Sequence, residues 1–211
     1  RPDRSIVKGD ITREQALYLS LISFIIGIYF ALRLSSDSQI ISLGISLPLL
    51  FLYNAKIKNY PLIGNIIVSI IIGLSFIYAG VVFENVKPLI VPSLLAFGLT
   101  LIREVVKDIA DFKGDEAIGA RTLPIVFGKQ KAIYFCTILS ILLSMAAFTL
   151  FLNGYYNFYY GVLLIITVEI PLGVVVISLL NKPHIETAKK AAKLLKFCTL
   201  GGLFSIYIGT F

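Results

Sequence analysis

The sequence predicts an all-α membrane protein, a polytopic bundle of transmembrane helices. Hydrophobic residues make up 57% of its 211 residues and charged residues only 15%, a balance far from that of soluble domains. Apolar runs long enough to cross a hydrocarbon core of about 30 Å recur along the whole chain. Charged residues are concentrated between these runs. Residues 1–211 are therefore interpreted as a single transmembrane domain.

Seven apolar segments are predicted to span the membrane. In chain order they cover residues 15–34, 38–53, 61–83, 88–108, 131–152, 157–180 and 195–211. Their connections contain residues typical of turns and helix ends, namely Ser35-Ser36-Asp37, Tyr60-Pro61, Lys87-Pro88, Asn153-Gly154 and Asn181-Lys182-Pro183. The basic, amphipathic segment 182–196 is predicted to be a helix on the membrane surface, attracted to anionic lipid, and a lid over a site is a possible alternative.

The distribution of basic residues predicts the orientation of these spans. If the chain alternates through seven spans, 17 of the 19 Lys and Arg residues fall on the side of the N-terminus. Basic residues are enriched in cytoplasmic loops. The N-terminal side is therefore predicted to be cytoplasmic, in an integral protein of the cell membrane. Nine of the twelve acidic residues lie on the same side, so any chemistry is expected to face the cytoplasm.

The number and positions of the histidine and cysteine residues argue against several kinds of site. His184 is the only histidine, which excludes a zinc site built on several histidines. Cys136 and Cys198 lie in apolar segments without metal-type spacing, and each is interpreted as a buried, inert thiol. No nucleic-acid partner is predicted.

The most unusual stretch is REVVKDIADFKGDEAIGARTLP, residues 103–124, which contains five carboxylates and four basic residues. If the fourth span continues through it, Glu104, Asp108, Asp111 and Asp115 fall within about 60° around one helix. Like charges at this spacing repel one another, unless cations lie against them. Arg103 and Lys107 are expected to lie to one side of the acidic stripe. Because glycine is a poor helix former, an end of the helix at Gly114, before Asp115, is the alternative.

This acidic stripe indicates a site for a divalent cation and a phosphate. Mg²⁺ is typically bound by one or two carboxylates, with water and phosphate oxygens completing its shell. Five basic residues lie on the same predicted side of the membrane, namely Lys56, Lys58, Arg121, Lys129 and Lys131. Apolar walls next to a diphosphate site favour a substrate with a charged head and a lipid tail. The alternative is a solvated connector of mixed charge with no ligand.

Three stretches resemble the UbiA superfamily of intramembrane prenyltransferases. Residues 103–132 resemble its second aspartate-rich motif, whose D-x-x-D-x-x-x-D spacing is met by Asp108, Asp111 and Asp115. Residues 53–65, YNAKIKNYPLIGN, resemble a family loop that carries a tyrosine and a diphosphate-binding lysine. Residues 1–12 resemble the segment after the first aspartate-rich motif, with Ser5 in place of a second proline. The three stretches occur in family order and span most of the chain.

The resemblance implies a fold of nine helices with two aspartate-rich motifs in cytoplasmic loops. The first motif, N-D-x-x-D-x-x-x-D, is expected immediately before Arg1. Two helices and that motif are thus expected to precede these residues in the full protein, which is predicted to be active, whereas the 211 residues alone are predicted to be inactive. An N-D-x-x-D sequence before Arg1 would distinguish this class from a cation-coupled membrane transporter, the alternative of another class.

Within the family, residues 103–124 are most similar to the archaeal branch that makes membrane ether lipids. The resemblance implies transfer of a geranylgeranyl group from its diphosphate to a lipid-like acceptor, geranylgeranylglyceryl phosphate. Quinone, chlorophyll and haem-side-chain prenyltransferases are the alternatives within the family. The sequence does not determine the identity of the acceptor, the length of the prenyl chain or the oligomeric state.

The resemblance also implies roles for individual residues. Asp108, Asp111 and Asp115 are predicted to hold Mg²⁺ together with the first motif, and Lys56 or Lys58 to neutralise the diphosphate, with Arg121 and Lys129 as further candidates. Tyr53 and Asn65 are predicted to line the head-group site, although Tyr53 could instead be an interfacial anchor and Asn65 a helix cap. Glu169, inside the sixth span, is either functional or a hydrogen-bonded packing residue.

Overall fold

The structure is a computed structural model that describes residues 5–55 and 60–211. Within these ranges it contains helices and no β-strand. Seven of the helices are long and apolar enough to cross a membrane. We label them α1 (Arg13–Ala31), α2 (Ser36–Ala55), α3 (Ile63–Val82), α4 (Ile90–Ala117), α5 (Lys129–Leu152), α6 (Phe158–Asn181) and α7 (Ile185–Gly209).

Short helices and side-chain caps define the ends of the long helices. A four-residue helix, Ser5–Lys8, precedes α1, a 3₁₀ turn, Lys87–Leu89, leads into α4, and a helix at Leu123–Phe127 joins α4 to α5. Thr12 and Gln15 form a capping box at the start of α1, and the Asn157 side chain accepts from the Tyr160 N–H at the start of α6. These bonds satisfy backbone groups that a helix leaves without partners.

Two of the long helices contain a π-helical segment close to a proline. In α2 the segment Ile40–Ser46 precedes Pro48, and in α6 the segment Ile165–Glu169 precedes Pro171. Proline has no N–H, and its ring displaces the carbonyl four residues earlier. The local widening of the helix accommodates this defect. As a result, Glu169 lies at the end of the wide turn of α6.

Helix α4 is the centre of the bundle and has two different faces. Ile102, Val105, Val106 and Ile109 are fully buried, and their i, i+3, i+4, i+7 spacing places them on one stripe. They form one core with buried side chains of α5, α6 and α7. The opposite face of α4 carries the acidic stripe. Packing of the apolar stripe therefore determines the direction in which the acidic stripe points.

Helices α1 and α2 lie at the edge of this bundle. In α1, Ala31 is the one buried residue, and side chains such as Tyr18, Ile25 and Phe30 are more than half exposed. An apolar surface of this kind is compatible with lipid. The structure confirms the predicted class, an all-α protein with seven membrane-spanning helices.

Two predicted boundaries are wrong. The fourth span is predicted to end at residue 108, but α4 continues to Ala117. The predicted surface helix at 182–196 is not separate from the last span, because α7 runs without a break from Ile185 to Gly209. Its basic first turns bury Ala188, Ala191 and Leu195 in the core. These three apolar residues lie on one face of the helix. The lysines between them made this apolar face difficult to recognise in the sequence.

Helices α6 and α7 approach closely at Gly201, which supports a prediction about stability. A Cβ atom at Gly201 would lie 2.4 Å from the Cβ of Thr167, whereas one at Gly202 would lie 3.4 Å from Val168. Thr167 is β-branched and stiff, so Gly201→Ala should destabilise the fold by about 1–3 kcal/mol.

This prediction is checked by thermal unfolding of the purified protein in detergent. We expect Gly201→Ala to lower the apparent Tm by about 5 °C. Gly202→Ala is the matched control and should leave the Tm unchanged or raise it, since alanine favours helix. Equal Tm values for the two variants would contradict the assigned packing of α6 on α7.

Candidate active site on the acidic face of α4

The acidic residues singled out in the sequence all lie on helix α4. The helix continues without interruption through Gly114 and ends at Ala117, so Asp115 belongs to it. Glu104, Asp108, Asp111 and Asp115 therefore share one stripe, within about 60° around the axis. Each of the three aspartates is half-buried. The condition on which the stripe depends, a helix that continues from the fourth span through Asp115, is therefore met.

A hydrogen bond between two helices fixes the position of Asp108. The Asn65 side chain, at the start of α3, donates from Nδ2 to Oδ2 of Asp108 at 2.8 Å. Asn65 is itself in the first turn of α3, and its backbone carbonyl accepts from the Ser69 hydroxyl. The side chain of Asn65 is thus directed across to α4 and does not cap α3. This contact holds one carboxylate oxygen of Asp108 in a defined direction.

Asp108 and Asn65 line a small polar pocket between α2, α3 and α4. The pocket has a volume of about 50 Å³. Its lining comprises Tyr53, Tyr60, Gly64, Asn65, Val68, Glu104, Asp108 and Thr122. The structure therefore brings together Tyr53, Asn65 and Asp108, three of the residues that the sequence analysis placed in the site. Gly64 and Val68 supply the apolar part of the wall.

The pocket also contains residues that the prediction did not include. Tyr60 directly precedes Pro61, where the sequence indicated only a turn. Thr122 belongs to the GARTLP stretch that supported the family resemblance, and its Oγ1 atom is buried without a hydrogen-bond partner among the described residues. A buried hydroxyl left unpaired costs free energy. It is therefore a candidate to bind a ligand in this pocket.

Glu104 differs from Asp108 in its charge partners. One of its oxygens lies 3.2 Å from the Arg103 guanidinium, and the other lies 2.7 Å from the Lys107 ammonium. Arg103 and Lys107 were expected to lie to one side of the stripe, but both side chains reach Glu104. Flexible basic side chains close to a carboxylate on the same helix readily adopt this geometry. The charge of Glu104 is thereby partly compensated within α4.

The other predicted site residues that the structure describes lie outside the pocket wall. Asp111 and Asp115 continue the stripe towards the end of α4, and both have interaction partners. Arg121 is exposed. Lys129 places its Nζ atom 3.9 Å from the ring centre of Phe112, a cation–π contact that holds it beside α4. Lys56 and Lys58 lie outside the described residues.

The oxygen atoms of this region suit a hard cation such as Mg²⁺. Carboxylate and hydroxyl oxygens of Asp108, Glu104 and Thr122 meet in one pocket, and Mg²⁺ prefers oxygen ligands. Among the described residues, however, no group of three or more His, Cys, Asp or Glu side chains gathers closely enough to hold a metal ion. Asp108 and Asp115 are seven residues apart, or about 10.5 Å along the helix axis. The described residues therefore fit one part of a coordination shell.

Comparison with known proteins gives consistent matches over nearly the whole chain. The model of the UbiA prenyltransferase family matches residues 1–199. The chain is 35% identical over 209 residues to digeranylgeranylglyceryl phosphate synthase of Pyrococcus horikoshii, covering 99% of this chain and 73% of that protein. It is 34% identical over 213 residues to the enzyme of the same name from Saccharolobus solfataricus, covering 100% of this chain and 74% of that protein.

A solved structure is similar as well. It is described as giving structural and mechanistic insights into the biosynthesis of digeranylgeranylglyceryl phosphate synthase in membranes. The TM-score is 0.77 at 32% sequence identity, and the match covers 99% of this chain and 74% of that chain. The arrangement of helices described above is therefore shared with a membrane protein of known structure.

Proposed function

Because the chain belongs to the UbiA prenyltransferase family, we propose that it transfers a geranylgeranyl group from geranylgeranyl diphosphate to geranylgeranylglyceryl phosphate. Relatives at 31–35% identity over nearly the whole chain are named digeranylgeranylglyceryl phosphate synthase. The product would be a glycerol phosphate with two ether-linked chains, as needed in archaeal ether lipids. The family membership also argues against a cation-coupled transporter.

The observation that carries this proposal is the Asn65–Asp108 pair in a polar pocket on the acidic face of α4. A charged pocket at the end of a membrane-spanning helix is adjacent to the apolar interior of the bundle. A substrate that fits both environments has a charged head and a long hydrocarbon chain. A prenyl diphosphate has this composition, and the acceptor geranylgeranylglyceryl phosphate has it too.

Asp108, Asp111 and Asp115 are the residues of this chain that would hold Mg²⁺. When bound, Mg²⁺ supplies positive charge for the oxygens of the diphosphate. Asn65 keeps the Asp108 carboxylate oriented, and Tyr53 and Thr122 can donate hydrogen bonds to phosphate oxygens from the wall of the pocket. Basic residues are the complementary part of the site. Lys56, Lys58, Arg121 and Lys129 are proposed to neutralise phosphate oxygens that the carboxylates would repel.

The proposed reaction exchanges one carbon–oxygen bond for another. The bond between the allylic carbon of the donor and its diphosphate breaks, and the diphosphate leaves with the electron pair. The hydroxyl oxygen of the acceptor bonds to that carbon and gives its proton to the departing diphosphate. The fixed hydrogen-bond donors and basic groups would stabilise charge on the leaving diphosphate. The apolar bundle would exclude water, which would otherwise capture the electron-deficient carbon.

The protein is an integral membrane protein, and we propose that the acidic end of α4 faces the cytoplasm of the cell. The excess of lysine and arginine on that side supports this orientation. Both substrates are amphiphiles, so membrane lipids would surround and deliver them.

The proposal is tested by an assay of the full-length protein in lipid vesicles. Labelled geranylgeranyl diphosphate is supplied with geranylgeranylglyceryl phosphate, a hydroxybenzoate, or no acceptor. We expect product with geranylgeranylglyceryl phosphate at a rate at least about 100-fold above the other reactions, since specific sites discriminate by several kcal/mol. Transfer to the aromatic acceptor instead would identify an aromatic prenyltransferase, and the ether-lipid assignment would be wrong.

A further inference from the structure

A second cavity lies inside the bundle, on the opposite side of α4 from the acidic stripe. It is bounded by α3, α4, α5, α6 and α7 and has a volume of about 130 Å³. Leu95 and Leu99 line it from α4. They precede Asp108 by 13 and 9 residues, which places them about 140° and 180° around the helix from it. The body of α4 therefore separates this cavity from the candidate active site.

The wall of this cavity is mainly apolar, with the hydroxyls of Ser144, Tyr160 and Thr199 and a single carboxyl group. Glu169 of α6 contributes it, at the end of the π-helical segment that precedes Pro171. π-helical turns in α-helices are frequent at functional sites. A carboxyl group at this depth in a membrane protein is costly and requires partners. Its presence here needs an explanation in terms of the groups that it can bind.

The protein itself satisfies only one of the two oxygens of Glu169. The Ser144 hydroxyl of α5 donates to Oε2. The other oxygen, Oε1, is buried and has no hydrogen-bond partner among the described residues. The remaining hydroxyls of the wall already have acceptors, because Tyr160 donates to the Ala147 carbonyl and Thr199 to the Leu195 carbonyl. Oε1 is thus a single unpaired polar atom in an apolar cavity.

The cavity opens on the apolar outer surface of the described helices. Leu200 and Leu203 of α7 line it, yet they are 62% and 50% exposed, and Ile72 of α3 lines it at 40% exposure. These exposed side chains form the mouth of the cavity. Apolar cavities of about 150 Å³ hold a molecule of the size of benzene. The cavity therefore has room for the end of a chain, while the rest of the molecule can remain in the membrane.

We propose that this cavity binds a membrane-soluble alcohol, with the hydroxyl group paired to Glu169 Oε1 and the hydrocarbon chain extending into lipid. A hydroxyl can both donate and accept a hydrogen bond, so it pairs with Glu169 whether or not the carboxyl carries a proton. Transfer of a neutral alcohol from the hydrocarbon phase into the cavity costs little solvation free energy, whereas a charged amine would first have to lose its solvation by water. Isoprenoid and fatty alcohols combine the required head and chain.

The test uses a photoreactive long-chain alcohol and an analogue in which hydrogen replaces the hydroxyl. Both probes are incorporated into vesicles that contain the full-length protein, and labelled peptides are mapped by mass spectrometry. We expect the alcohol to label the cavity segments 143–147 and 199–206 about tenfold more than the analogue, the effect of one buried hydrogen bond to a carboxyl group.

Substitutions at Glu169 separate a specific pairing from general partitioning of the probe. Glu169→Leu removes the acceptor at similar volume and should abolish the preference for the alcohol, whereas Glu169→Gln keeps an oxygen and should retain part of it. Glu84→Gln, which neutralises an exposed carboxylate outside the cavity, should behave like the unmodified protein.

Either of two results would overturn the proposal. One is equal labelling by alcohol and analogue in the unmodified protein, an outcome that does not depend on how any variant folds. The other is an undiminished preference for the alcohol in Glu169→Leu. Because the reaction site lies on the other face of α4, neither result would bear on prenyl transfer.

Discussion

Replacing Asp108 by alanine is expected to lower the rate of prenyl transfer by about 10²–10³-fold, the loss typical of removing one fixed charge-stabilising group. Asp108 is the one member of the Asp108/Asp111/Asp115 motif that lines the polar pocket, and Asn65 holds one of its oxygens. Glu104, the other carboxylate of the pocket, is already paired with Arg103 and Lys107. Loss of this side chain should therefore remove both a cation ligand and the hydrogen bond between Asp108 and Asn65.

Asp108→Asn distinguishes the role of charge from that of shape. Asparagine is nearly the same size and can still accept from Asn65, but it lacks the negative charge, so we expect a loss similar to that in Asp108→Ala. The rate of prenyl transfer should also fall strongly in Asp115→Ala if the metal contacts more than one turn of the stripe. Initial rates are measured in membranes and divided by the amount of inserted protein.

Glu116→Ala is the matched control for these variants. Glu116 is an exposed carboxylate on the same helix, about 80° from Asp108 around the axis. Its removal should leave the rate within about twofold, as is usual for surface substitutions. Turnover of Asp108→Ala and Asp108→Asn within a few-fold of the unmodified enzyme would show that the assignment of Asp108 is wrong.

Removal of divalent cations is expected to abolish transfer, with a fall of at least about 10³-fold. The acidic stripe and a diphosphate are both negative, and like charges at close range repel. The basic residues proposed for the site would not offset this repulsion alone. The enzyme in vesicles is treated with a chelator and assayed, and then Mg²⁺ is added in excess, which should restore the rate.

A chelator already saturated with Mg²⁺ is the control for direct effects on the protein or the membrane, and it should have no effect. Ca²⁺ should restore less activity, because it is larger and holds its ligands at 2.3–2.6 Å against about 2.0–2.1 Å for Mg²⁺. Full turnover in the presence of free chelator would contradict a divalent-cation site on α4.

The sequence predicted those features that depend on local composition and periodicity. Seven apolar segments identify seven helices, because transfer of each segment into hydrocarbon depends on its own side chains. The acidic stripe could likewise be derived before the structure was known, since residues at i, i+4, i+7 and i+11 share a face of any α-helix. The end of α4 at Ala117 and the continuity of α7 were missed, because charged residues obscured the helical continuation.

The parts of the site that come from separate segments required the tertiary structure. Asn65 and Asp108 are 43 residues apart, and Thr122 enters the pocket through the short helix after α4. Ser144 and Glu169 meet across α5 and α6 in the same way. Such contacts depend on how closely and at which angle helices pack, which small residues such as Gly201 control through shape. The sequence by itself therefore determined the helices, their predicted direction and the acidic face, whereas packing alone decided which polar side chains meet.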